Sequence, residues 1–355
     1  MSNLYVTLSD LHLHNWSAFA TTLSNGVNSR LQGLLDEIER AGRELKARGG
    51  SVMVIPGDLF HVRGNIAPSV LNPALDTFRK LRDMGIEVHL IPGNHDLEGK
   101  EAQRVSSAIT SLEQLGCVVY NEARSFFVGT QRVLMVPWVE SVVELKSMLI
   151  DIVHESHTDG DDLSGADLII HAPVNGVIMG IPDHGLEPAW LKDLGFRNVI
   201  SGHYHNHKDF GNVYSAGALA HHTWSDVGTT AGFMLVGDKV EHFDSILPKF
   251  VEVHQDTPAA DIPKIARSNY VRVKVETSKT SDIEAMRQYM INQGALGVII
   301  ISVKKPTEER GPGATIKAGA SVSASVVDFI NTMKITNQGD VQRSALRILA
   351  EAGAA

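Results

Sequence analysis

Ile86-Glu-Val-His-Leu-Ile-Pro-Gly-Asn-His-Asp96 is the stretch on which the architecture turns. Its first six residues are mostly apolar and β-compatible, the pattern of a short buried strand. Pro92 and Gly93 stop that strand. Directly beyond the stop stand Asn94, His95 and Asp96, side chains that hold cations and move protons. A helical pattern at Leu71–Met84 precedes the strand, so the local order is helix, strand, polar cluster.

The same arrangement recurs on both sides. Strands are predicted at Leu4–Leu8, Ser51–Ile55, Val133–Val136, Leu168–His171, Val199–Ser201 and Phe233–Val236, with a helix at Leu31–Ala47. Leu8 is followed by Ser-Asp10-Leu-His12, Ile55 by Pro-Gly-Asp58, Ile170 by His171, and Ile200 by Ser-Gly-His203-Tyr-His205. Strands alternating with helices predict an α/β fold, and polar clusters at strand C-termini lie where such sheets build their sites.

Taken singly, a Gly-Asp is a turn and a lone histidine a packed core residue. A series of such motifs at successive strand ends is not explained by packing. Carboxylates, imidazoles and an amide oxygen together suit divalent ions of the Mn²⁺, Fe²⁺ or Zn²⁺ kind. The spacing of two in Asp10/His12 and in His203/His205 predicts that each pair points to one side of an extended segment.

The series Asp-x-His, Gly-Asp, Gly-Asn-His-Asp, His, Gly-His-x-His resembles that of the calcineurin-like metallophosphoesterase superfamily, over about residues 4 to 245. Gly57-Asp-Leu-Phe-His61 is similar to its SbcD branch, nuclease subunits of double-strand-break processing complexes. His184-Gly-Leu-Glu-Pro-Ala-Trp-Leu191 resembles the tailed-phage recombination endonuclease subunits. The resemblance implies a four-layer α/β/β/α sandwich. It implies one ion held by Asp10, His12, Asp58 and His205, a second held by Asp58, Asn94, His171 and His203, and a metal-bridging hydroxide as nucleophile. Manganese is the ion expected, with iron, zinc or magnesium as alternatives. His95 would protonate the leaving oxygen, Asp96 would orient its ring, and His61 would steady a ligand or face the substrate.

Departures from the pattern matter too. Phe60-His61-Val62 stands where the Ser/Thr phosphatase branch carries Asp-Arg-Gly, which argues against a phosphoprotein substrate. Ser215 to Trp224 does not reproduce the Gly-Ser of SbcD relatives. His221 and His222 in that segment are read as neighbours of the site rather than as ligands, and Trp16 and Trp224 as packing residues.

Composition sets the outer limits. With 355 residues, 43% hydrophobic and 21% charged, the chain can bury a large core in more than one domain. Residues 1–255 are expected to form the catalytic domain and 265–304 a small β-α-β capping domain. In the latter, Tyr270–Glu276 alternates as a strand, Ser281-Asp-Ile-Glu284 reads as a capping box, and Leu296–Val303 is a second strand. A linker follows at Lys305–Ser321, then a helical tail over 321–355, with helices at Val322–Met333 and Val341–Leu349. Helices that short must dock to persist. The resemblance implies an SbcC-type, SMC-like ATPase as the partner they dock to, and DNA as the substrate, in end processing, recombination or repair. Self-docking is the alternative, and pairing with a second copy of the chain stays open.

The net charge of −9 argues against coating nucleic acid by charge alone. A free-standing phosphodiesterase for a nucleotide or other small ester, needing the same metals but no duplex-sized groove or ATPase, is the competing expectation, and a silent scaffold a third. The single cysteine, Cys117, fits a reducing compartment. No apolar run is long enough for a membrane span, and the cytoplasm is the expected location.

Overall fold

The computed structural model describes residues 2–99, 104–158, 160, 162–180, 182, 184–276, 279–302, 321–333 and 336–351. Two six-stranded sheets form its centre. The first has the strand order Val240–Asp244, Gly232–Val236, Tyr5–Thr7, Val52–Ile55, Glu87–Leu90, Val118–Val119. The second has the order Arg124–Val128, Gln131–Val136, Ala166–His171, Asn198–Gly202, Val213–Ser215, Lys208–Asp209. The strands that carry the predicted clusters pair in parallel, Tyr5 opposite Val52 and Val52 opposite Glu87 in the first sheet, Asp167 opposite Asn198 in the second. Parallel pairing brings their C-terminal ends to one edge.

Three separate cores make four layers. Leu31, Leu35 and Ile38 of the Ser29–Ala47 helix, and Phe78 and Leu81 of the Pro68–Asp83 helix, pack on the outer face of the first sheet with Met53, Ile55 and Leu90. Leu145 and Leu149 of the Val142–Thr158 helix cover the second sheet over Leu168 and Ile170. Between the sheets lie Val54, Val133, Met135, Ile169, Ile200 and Met234. Buried on both faces, such strands read as unbroken apolar runs. The four-layer α/β/β/α sandwich that the resemblance implies is the observed fold.

A third sheet joins Phe250–Val253, Tyr270–Val275 and Gly297–Ser302. Phe250–Val253, at the end of the expected catalytic domain, pairs in parallel with Tyr270–Val273. The Thr280–Asn292 helix begins one residue before Ser281, and Ser281 Oγ meets the Asp282 carboxylate. The expected capping box is thus not formed; the serine lies inside the first turn. By compactness this sheet belongs with the sandwich, in a unit that runs to Lys274 and takes in Thr280–Ile301.

The other unit holds the helices Val322–Thr332 and Gln338–Glu351. Ser321 caps the first through the Ala324 amide, and Gln338 donates to the carbonyls of Ile330, Asn331 and Met333. Phe329 and Ile348 remain exposed. Most of the expected linker, residues 305–320, lies outside the described residues, as does Val303. Among the described residues no helix is long and apolar enough to cross a membrane.

Candidate metal centre

Every predicted ligand comes to the shared edge of the two sheets. Asp10, His12, Asp58 and Asn94 follow strands of the first sheet; His171 ends a strand of the second, and His203 and His205 follow another. Asp10, His12 and His205 present donor atoms within 4.8 Å of one another, as do Asp10, Asp58 and His171. Asp58 Oδ2 lies 3.7 Å from His12 Nε2 and 3.4 Å from His171 Nε2. Asn94 Oδ1 lies 3.2 Å from both His171 Nε2 and His203 Nδ1. His205 Nε2 is 3.1 Å from His12 Nε2.

The backbone that achieves this is not extended. Asp10, His12, Asp58 and His203 have φ of 50°, 43°, 53° and 103°. They are four of the six non-glycine residues with positive φ among the described residues. The expectation that alternation aims the Asp10/His12 and His203/His205 pairs is therefore corrected: left-handed kinks aim Asp10, His12 and His203. Such backbone costs on the order of 1 kcal/mol or more per residue and survives where the surroundings hold it. Here Asp10 N donates to Gly57 O and His12 N to Asp58 O, while both Asp10 carboxylate oxygens accept from His203 N.

The glycines before Asp58 and Asn94 have a steric cause. A Cβ on Gly57, at φ 95°, would sit 2.5 Å from His171 Nδ1, and one on Gly93 would sit 2.2 Å from Asp58 Oδ1. Only bare backbone leaves room for the ligands.

The donor set fits divalent cations. His171 Nδ1 donates to Pro56 O at 2.6 Å, and His205 Nδ1 meets the Asp226 carboxylate at 2.7 Å. Each bond fixes a tautomer that frees Nε2 as a lone pair toward the carboxylates, the outer support typical of ligating histidines. Burial and the Asp58 charge raise the Asp10 carboxyl to about 6, His171 pulling the other way. Burial would lower the His171 imidazole, yet Asp58, Asp10 and the Pro56 carbonyl bring it up to about 9. Burial and the neighbouring His171 take His203 down to about 3. Buried carboxylates and imidazoles that disturb one another this strongly are a functional signature, and cations at their centre would relieve the conflict.

His95 and His61 lie at the same place, half-buried and stacked at 5.5 Å between ring centroids. His95 Nδ1 donates to His61 O at 2.7 Å, and its amide donates to Asp58 Oδ1 at 2.8 Å. His61 Nδ1 is 3.5 Å from His12 Nδ1. Asp96 does not orient the His95 ring, which corrects the expected role. Its buried carboxylate accepts the amides of Leu59, Phe60 and Gly93 and so ties the Asp58 loop to the Asn94 loop.

Three contributors were not singled out from sequence. Asp226 supports His205 and also accepts the amides of His222 and Thr223. Its one local signal is a capping box with Thr223. His222 is buried against the His12 and His205 rings and donates from Nε2 to Asp10 O at 2.9 Å; the sequence treats it only as a neighbour. Trp138 stacks on His203 at 5.4 Å, with no sequence signal. Asp226→Asn is expected to weaken ion binding by about tenfold or more, read as the Mn²⁺ dissociation constant in titration calorimetry. An unchanged constant would contradict the supporting role.

Adjoining donor groups, two of them sharing Asp10 and a third made by His12, His61 and His95, lie at one edge of a four-layer sandwich, the type of site a metal-dependent hydrolase uses. The chain belongs to the calcineurin-like phosphoesterase family, whose model matches residues 5–207, and the donor cluster agrees with metal-dependent hydrolysis. Exonuclease subunit 1 of Enterobacteria phage T4 is 27% identical over 215 residues, 60% of this chain and 60% of that protein. The chain thus matches less than two thirds of that relative's length. Among solved structures it is similar to a dimetal phosphatase from Danio rerio, with 13% identity, TM-score 0.43, and coverage of 68% of this chain and 96% of that one. It is also similar to a protein of Thermus thermophilus, with 11% identity, TM-score 0.42, and coverage of 69% of this chain and 99% of that one.

Proposed function

We propose that this protein is the nuclease subunit of a DNA-processing complex, hydrolysing phosphodiester bonds at the edge where the two sheets meet. The observation that carries the hydrolytic part is Asp58, whose Oδ2 stands between the nitrogens of His12 and His171. Asp10, His12, Asp58 and His205 would hold one ion, and Asp58, Asn94, His171 and His203 the other. Bound there, two divalent ions, manganese foremost, would supply Lewis acidity toward a phosphoryl oxygen and lower the pKa of a shared water.

The chain's own residues do the rest. His95, anchored through Nδ1 on His61 O, keeps Nε2 for the leaving oxygen, which it protonates as a general acid. His61, stacked on His95, steadies that ring on the substrate side. Asp96 holds the two loops in register.

DNA as substrate is supported by the relative named as an exonuclease subunit and by the SbcD-like Gly57–His61 stretch. That name also favours work within a complex, and an SbcC-type ATPase would add positive charge to a chain whose own net charge is −9. The test incubates the protein and Mn²⁺ with labelled linear and hairpin DNA and with a nitrophenyl phosphodiester, with and without that ATPase. Cleavage of the small ester alone, under both conditions, would favour a free-standing phosphodiesterase. Removing residues 321–355 is expected to weaken ATPase association at least tenfold while sparing small-ester hydrolysis, because the helix pair presents Phe329 and Ile348 to solvent. Unchanged association would exclude the tail as the docking segment.

A further inference from the structure

Arg30, in the first turn of the Ser29–Ala47 helix, is not among the residues that motif or family reading singles out. Its guanidinium is partly buried, with Nη2 donating to His222 O at 2.6 Å and to His221 O at 3.3 Å, and Nη1 to Ala18 O at 3.3 Å. It also lies over the rings of Trp16, Phe250 and Tyr270, at 5.2, 5.0 and 5.7 Å. Phe250 and Tyr270 are register partners in the third sheet. A charge placed this way is held by acceptors on one side and by aromatic faces on the other.

The carbonyl that Arg30 grips most closely belongs to His222. That residue is clamped at both ends, since its amide donates to Asp226 Oδ2 at 2.7 Å. Its side chain reaches Asp10 O through Nε2, while Nδ1 is buried without a hydrogen-bond partner. The ring therefore makes one hydrogen bond, and that bond restrains the peptide of Asp10, whose φ of 50° needs restraint. Asp226, the other end of the clamp, holds His205. In the proposed assignment both endpoints, Asp10 and His205, serve the first ion, although Asp10 also presents a donor atom within 4.8 Å of Asp58 and His171.

We propose that Arg30 is a positioning residue for the first ion site, setting Asp10 through His222 and seated against the aromatic residues of the third sheet. This rests on the two-ion reading of the ligands and not on DNA as the substrate. Arg30→Lys keeps the charge but loses the planar fork that spans two carbonyls. It is expected to weaken one of two Mn²⁺ binding steps by about 10- to 100-fold and leave the other within about twofold. In electron paramagnetic resonance at intermediate Mn²⁺ the coupled two-ion signal should give way to a single-ion signal.

His222→Gln is expected to produce the same selective loss without touching Arg30. The double variant should be no worse than His222→Gln alone, because a relay adds nothing once its middle is removed. Thermal midpoints of the ion-free proteins separate this from general damage. Equal weakening of both steps, additive losses, or a lower midpoint with both steps unchanged would overturn the proposal. If Arg30→Lys does not fold, the selectivity of His222→Gln decides the matter alone. Wild-type protein that binds no divalent ion would overturn both this proposal and the ligand reading beneath it.

Discussion

Asp58→Ala is expected to leave the protein with neither ion and to lower hydrolysis of a nitrophenyl phosphodiester by at least about 10⁴-fold, roughly 5.5 kcal/mol of transition-state stabilisation. The size follows from position. Asp58 Oδ2 faces both His12 and His171, so its loss takes a donor from each ion at once. Burial opposes its charge, yet His171, His12 and His95 hold its carboxyl well below the usual carboxylate range; it stays an anion in a buried place. Asp58→Asn separates lost charge from lost architecture, because an amide oxygen can still accept the His95 amide. Mass spectrometry of the purified variants for metal is the check. One ion fully retained in Asp58→Ala would contradict sharing.

His95→Asn should act differently, with both ions retained and activity on DNA reduced about 10²- to 10⁴-fold, the range of a general acid. Its side chain lies outside both proposed ligand sets, though its donor atom is within 4.8 Å of those of His12 and His61, and the contact that ties this loop to Asp58 is made by its backbone amide, which the substitution keeps. Leaving-group dependence identifies the role. A nitrophenolate departs without a proton, so the loss on a nitrophenyl ester should be much smaller than on an alkyl ester. Equal losses on both would point to phosphate binding instead of proton donation, and undiminished nuclease activity would exclude either.

What was legible in the sequence was what is local. Strand ends, the glycines before Asp58 and Asn94, and the ligand identities sit within a few residues of one another. The reason for those glycines becomes visible only when Gly93 is seen against Asp58 Oδ1. Asp226, His222 and Arg30 were hidden because their partners are distant in the chain: Arg30 reaches His222 across 192 positions, and His222 reaches Asp10 across 212. The same reason hid the pairing of Phe250–Val253 with Tyr270–Val273. The backbone at Asp10 and His12 misled for another cause. A spacing of two looks extended on paper, and only the hydrogen bonds to Gly57 and Asp58 bend it.

Each ion would take donors from both sheets: Asp10, His12 and Asp58 from the first with His205 from the second, and Asp58 and Asn94 from the first with His171 and His203 from the second. Occupied, the centre is a pair of rivets through the seam of the sandwich. Opening that seam then requires releasing metal, so breathing of the two halves and loss of ions become a single event. Slow amide exchange along the edge strands should track free metal concentration, far from any residue that touches an ion. Chelation would thus loosen the whole seam while disarming the catalyst.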